Sequence, residues 1–265
     1  MRRLRNHRAP DPDPIAAEGF DRSELEGDAI GPVADEIPWL RPFGADIPGP
    51  VLWDSGTEDE PEAARALREA RALAALGSRL DAVLLLRRTQ AEHPLDPESG
   101  VLLAHLLEQG GDAEGALAEL SAAIATAADP LPILVKRGEL LARVGQPAEA
   151  ERDLRDAVRQ RPTFAGAHFH LGVTLLRRGR ASEAADALRE ALRLAPDDPE
   201  GHYHLGEALE AKGELAAALD TLERAARLLP GDGRAFKLMG RLLDRLGRTD
   251  EAMVMHRRAR EASIR

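Results

Sequence analysis

The chain has 265 residues and a formal net charge of −10, is 43% hydrophobic but only 3% aromatic, and contains no cysteine. A core must therefore be built from Leu, Ala and Val, and disulfides, thiol nucleophiles, cysteine-type zinc sites and iron–sulfur clusters are excluded. No stretch approaches the roughly 18 consecutive apolar residues of a membrane-spanning helix, and an acidic chain without a strip of basic and aromatic residues argues against nucleic acid as the ligand.

Residues 1–62 hold 15 acidic and 6 basic residues, net −9, which leaves the remaining 203 near neutral at −1. They also hold half of the 18 prolines and 6 glycines, with no sustained helical or strand period. That composition predicts an acidic, largely disordered tail. Its opening MRRLRNHRAP is basic, but acidic and proline-rich residues follow where a signal peptide needs an apolar core, so a cytoplasmic location is expected. Of the 36 basic residues 33 are Arg, the usage of a GC-rich bacterial coding sequence. Both tryptophans lie in this tail, in Ile37-Pro38-Trp39-Leu40 and Val51-Leu52-Trp53, with Phe43 and Ile47 between them. Buried aromatic anchors dominate peptide contacts, so residues 36–54, with Trp39, Leu40, Phe43 and Trp53, are read as a docking motif for this protein's own groove or for another protein.

From residue 63 onward, glycine recurs every 34 residues at Gly77, Gly111, Gly145, Gly179, Gly213 and Gly247. A leucine stands four residues before each, from Leu73 to Leu243, and an alanine five after it, from Ala82 to Ala252. This divides the chain into units 63–96, 97–130, 131–164, 165–198, 199–232 and 233–265, each predicting two amphipathic helices. In the fourth, AGAHFHLGVTLLRR and SEAADALREALRLA flank Gly179, with Leu171 and Leu175 on one face of the first and Ala184, Leu188 and Ala191 on one face of the second. A glycine just past a helix end takes the left-handed conformation without steric cost. Glu149, Glu183 and Glu251 open second helices, complementing the dipole, and Pro94, Pro162, Pro196 and Pro230 close them.

The pattern resembles the tetratricopeptide repeat, whose unit reads W-x2-L-G-x2-Y, A-x3-F and P. His168, Leu171, Gly172, Leu175, Ala184, Leu188 and Pro196 fit that spacing, as do His202, Leu205, Gly206, Leu209, Ala218, Leu222 and Pro230. The resemblance implies an all-α fold, a right-handed solenoid of six helix-turn-helix repeats over residues 63–265, with first helices lining a concave groove. Glu69 and Arg137 stand where a buried leucine is expected, which predicts looser packing or a register shift in units one and three. Small residues at Gly138, Gly172, Gly206 and Gly240 allow close helix approach, and Met253 and Met255 leave the last helix partly apolar.

The pairs His168/His170 and His202/His204 do not chelate as units, because residues two apart on a helix point about 200° apart. His168 and His202 fall at the packing-aromatic position and read as interior spacers. His204 and Glu207, three apart, do share a face, as do His105 and Glu108. No metal or cofactor is expected, and neither a phosphate-cradling loop nor a nucleophile motif is present.

The resemblance places groove positions at Val135, Glu139 and Arg143 in the third unit, and at Phe169, Val173, Leu176 and Arg177 in the fourth. Tyr203, Glu207 and Glu210 follow in the fifth, and Lys237, Arg241 and Arg245 in the sixth. The units carry net +2, −6, +2, 0, −4 and +5, so the groove runs from an apolar centre through an acidic patch to a basic end that attracts the −9 tail. Repeat proteins that clamp chaperone C-termini use asparagines, and the only Asn here is Asn6. The expected function is a noncatalytic adaptor binding another protein or a peptide. The alternatives are self-association through the last repeat and an accessory subunit of a methyl-, glycosyl- or sulfotransferase.

Overall fold

The computed structural model describes residues 61–93 and 96–262; Trp39, Leu40, Phe43 and Trp53 of the docking motif, and Pro94, lie outside the described residues. Among the described residues there are twelve α-helices and no strand. They come in pairs: α1 (Glu62–Ala75) with α2 (Arg79–Glu92), α3 (Pro97–Gln109) with α4 (Ala113–Thr126), and α5 (Leu131–Arg143) with α6 (Pro147–Gln160). The later pairs are α7 (Ala165–Arg177) with α8 (Ala181–Leu194), α9 (Pro199–Lys212) with α10 (Leu215–Leu228), and α11 (Gly233–Arg245) with α12 (Thr249–Ala262). None of the twelve is long and apolar enough to cross a membrane.

Each first helix packs on its own second helix, and each second helix on the next first helix, so the pairs stack into an α-solenoid. First helices α5, α7 and α9 also touch one another across pairs, more closely than second helices do. The array therefore curves with its first helices on the inner side.

The turns have one cause. All six period-34 glycines adopt positive φ between 73° and 86°. At Gly179 the backbone N–H of Arg180 reaches back to the carbonyl of Leu175 at 2.9 Å, closing the helix end. A Cβ added at Gly179 meets nothing within 4 Å, so the requirement for glycine is purely one of backbone conformation.

The core is a repeated side-chain contact. Leu154, Leu188 and Leu222 on second helices are fully buried, and each stands over a glycine of its first helix. A Cβ built at Gly138, Gly172 or Gly206 would lie 2.8, 2.6 and 2.6 Å from the leucine Cγ. Each such leucine contributes about 1.5–3 kcal/mol by leaving water. In the last pair His256 replaces the leucine over Gly240 and bonds Asp244 Oδ2 at 2.9 Å.

Neither departure from the pattern shifts the helix register. Arg137 keeps its place on α5 by pairing in two-pronged fashion with Asp153 on α6, Nε to Oδ2 at 2.8 Å and a terminal nitrogen to Oδ1 at 2.9 Å, and by donating to Ser121 Oγ at 3.1 Å. Glu69 is exposed, and α1 buries only Ala66, Leu67 and Ala70. His168 and His202 stitch consecutive pairs together. Each Nε2–H donates across the junction to a proline carbonyl, Pro162 and Pro196 respectively, at 2.9 Å.

Candidate functional site: the inner face of α5, α7 and α9

Successive first helices present residues three and four apart toward the inner face of the solenoid, and the curvature brings three of them around one cleft. The cleft has a volume of about 170 Å³ and is lined by Glu139, Ala142 and Arg143 from α5, Phe169, His170, Val173, Thr174 and Arg177 from α7, and His204 from α9. Phe169 forms the apolar wall. Its ring stands 5.0 Å from that of His170 and 5.7 Å from that of His204.

The polar lining is graded. Lys136 is buried and pairs with Glu139 at 3.2 Å and Glu108 at 3.6 Å, and Arg143 also pairs with Glu108. His204 Nδ1 and Tyr203 Oη both bond Glu207, at 2.8 and 3.0 Å. Burial pushes the His170 imidazole down to about 4, so its ring is neutral near pH 7. Burial, then Lys136 and Arg143, push His105 down to about 4 as well. Burial and the nearby Arg177 charge lower the pKa of Arg143. Two guanidinium groups thus share the rim, and Arg177 makes no ion pair among the described residues.

Of the residues singled out from sequence, Glu139, Arg143, Phe169, Val173 and Arg177 meet in this cleft. Leu176 is half-buried against the core beside it. Tyr203 and Glu207 flank the cleft through His204, and Arg234 stacks over the Tyr203 ring at 5.0 Å. Val135 is buried in the core and offers the groove no surface. Arg241 and Arg245 both turn back onto Glu210, at 3.6 and 3.1 Å, so the acidic patch and the basic end partly neutralise each other. Lys237 lies apart from them, at a cavity of about 1070 Å³ beside α12 that is also lined by Met253, Val254, Arg257 and Arg260.

His170, His204 and Thr174 line the cleft although the groove positions did not include them. One signal was present: Lys136, His170 and His204 are 34 residues apart, a polar column at one position of three successive repeats. The H-x-H pairs diverge, His168 and His202 toward proline carbonyls and His170 and His204 toward the cleft. Glu62, Glu92 and His93 bring three possible ligand atoms within 4.8 Å of one another at the exposed start of the array, where His93 already bonds Glu62 at 3.2 Å.

Two models of the tetratricopeptide repeat match residues 135–199 and 175–242. No curated protein matches the chain. Among solved structures, a crystal structure of MamA superposes with a TM-score of 0.55 at 25% identity, over 61% of this chain and 94% of that one. MamA from Desulfovibrio magneticus RS-1, from residue 41 to its end, gives 0.57 at 20% identity over 63% and 94%. Pseudomonas aeruginosa pilF gives 0.63 at 19% identity over 73% and 88%. Matching models over residues 135–242, solved structures of the same fold, and twelve described helices stacked on a 34-residue period with a left-handed glycine in every turn agree: residues 135–242 match the tetratricopeptide repeat, and the described helices form a solenoid of that fold.

Proposed function

We propose that this protein is a noncatalytic adaptor that captures a segment of another protein on the inner face of α5, α7 and α9. The observation that carries this reading is the cleft beside Phe169, apolar on one wall and edged by Arg143 and Arg177, the latter without an ion pair among the described residues. The ligand it suits is a peptide that inserts one apolar side chain against Phe169 and Val173 and sets a carboxylate beside Arg177. A guanidinium holds a carboxylate with two parallel hydrogen bonds, and a half-enclosed rim screens that pair less than open water does. Glu139 is held within the cleft by Lys136, while Glu207 and Glu210 set the opposite preference farther along, so the partner reads as acidic at one end and basic at the other. Tyr203, Leu176, Arg241 and Arg245 complete the groove in this proposal, with Lys237 outside it beside α12.

The test is affinity capture from the native host, comparing the wild type with Arg177→Glu and with Tyr203→Ala/Arg241→Glu. A partner lost with Arg177→Glu at unchanged helicity supports capture in the cleft. Retention of the same partner by both variants refutes it. The cavity beside α12, where Met253 is 63% exposed, favours a second reading, self-assembly through the last repeat. Light scattering against concentration separates the two, since a monomeric adaptor keeps one mass throughout.

A further inference from the structure

Three leucines of the first pair stand exposed at its turn and on the outer face of α2. Leu76, Leu80 and Leu84 are 77%, 70% and 67% exposed. Leu80 and Leu84 are four residues apart on α2 and share one face, and Leu76 lies in the turn that joins α1 to α2. No other repeat places two large apolar residues there: the position of Leu80 holds Glu114, Ala148, Ser182, Ala216 and Asp250, and that of Leu84 holds Ala118, Arg152, Asp186, Asp220 and Val254. Arg88 continues the row one turn further, exposed and with no ion pair among the described residues.

The chain itself supplies a matching segment. His93, just past the end of α2, bonds Glu62, at the start of α1, so the described chain begins near the Arg88 end of α2. Read outward from α1, the chain first carries Glu60, Asp59, Glu58 and Asp54, then Trp53, Leu52, Val51, Ile47, Phe43 and Trp39. Read outward along α2 from the same end, the surface carries Arg88, then Leu84, Leu80 and Leu76. The two orders agree, acid to arginine and apolar to leucine. The reach is ample. Arg88 to Leu80 covers roughly 12 Å at about 1.5 Å per helical residue, while the eight residues from 61 to Trp53 extend to roughly 26 Å at about 3.3 Å each.

We propose that residues 37–60 of the same chain lie along α2, the apolar block on Leu76, Leu80 and Leu84 and the acidic run beside Arg88, capping the first repeat. This is independent of the groove reading. Covering three leucines withdraws an apolar patch that would otherwise face water, and the tether makes the encounter intramolecular.

Tryptophan emission of the full chain tests this directly, because both tryptophans of the protein lie in the segment. The wild type at low concentration is expected to show blue-shifted emission and several-fold weaker acrylamide quenching than a free indole. Leu80→Ser/Leu84→Ser changes only exposed side chains and is expected to return both readings to those of an exposed indole at unchanged far-UV helicity. Arg88→Glu is expected to weaken the protection in part. Fully quenchable tryptophans in the wild type overturn the proposal. So does protection that survives Leu80→Ser/Leu84→Ser, whether or not Arg177→Glu then releases it from the groove. Protection that appears only as concentration and sedimentation mass rise together assigns the ridge to a second copy instead.

Discussion

The glycine–leucine contact inside each hairpin predicts an effect that changes sign with its neighbour. In Gly172→Ala the new Cβ lies 2.6 Å from Leu188 Cγ, 3.1 Å from Cδ2 and 3.2 Å from the carbonyl oxygen of Ala184. Leu188 is fully buried and has nowhere to swing, so helix α7 must move off α8. Overpacking of this kind costs about 1–3 kcal/mol, while alanine in place of glycine in a helix returns about 1 kcal/mol. The expected net loss is therefore about 1 kcal/mol. Leu188→Ala by itself should cost about 2–5 kcal/mol through the cavity it leaves. In that background the Cβ has room, and Gly172→Ala is expected to stabilise by up to about 1 kcal/mol, a coupling of about 2 kcal/mol. Urea unfolding followed by far-UV circular dichroism reads all four corners of the cycle. Amide exchange across α7 and α8 checks that the effect is local, since a solenoid can open one repeat at a time. A stabilising Gly172→Ala in the wild-type background, or the same effect in both backgrounds, refutes the close-contact account of this position.

Three further predictions are independent of that contact. Gly179→Val is expected to lose on the order of 1 kcal/mol or more and Gly179→Asn clearly less, because only the left-handed backbone is at stake; equal losses in thermal melts would contradict this. Glu151 is buried between two repeats, and although burial pushes its carboxyl up, hydrogen bonding from Arg180 and the charges of Arg155, Arg180 and Arg178 hold it below the ordinary range. Glu151→Ala should cost about 1–2 kcal/mol, since the partly exposed arginines regain water, whereas Asp186→Ala at an exposed pair should cost less than about 0.5 kcal/mol in the same denaturation assay. His105 and His170 have folded pKa values near 4, below the ordinary 6.5. As pH falls from 6.5 toward 4 the unfolded chain binds protons that the folded chain refuses, so their effect is nil at pH 7 and destabilising below that window. The loss approaches about 3 kcal/mol for His170 and less for the more solvated His105. His170→Gln should flatten the acid limb of stability against pH, and an unchanged limb would show the ring to be solvated.

The repeat was legible because it is written in one dimension. Gly77 to Gly247 with the leucines four residues before them mark every turn, and the 34-residue period marks a helix-turn-helix repeat that must stack on its neighbours. Aspartates ahead of first helices were further signals, unused here: Asp96 and Asp198 accept hydrogen bonds from backbone N–H groups of the turns that follow. Groove positions were legible only as columns, each residue assigned by its place in the unit. Whether such a residue faces solvent depends on the angle between successive repeats, which the period does not encode. Tertiary structure therefore buries Val135, turns Arg241 and Arg245 onto Glu210, and sets Lys237 beside α12. It also sets His170 and His204, one repeat apart, in the lining of a single cleft, with Lys136 of the same column buried behind Glu139. Sequence determined the fold because the turn glycines repeat without exception and the apolar spacing breaks only at single positions such as Glu69, Arg137 and His256. The cleft had to wait for three helices to meet, because burial and charge pairing belong to neighbours that only stacking brings together.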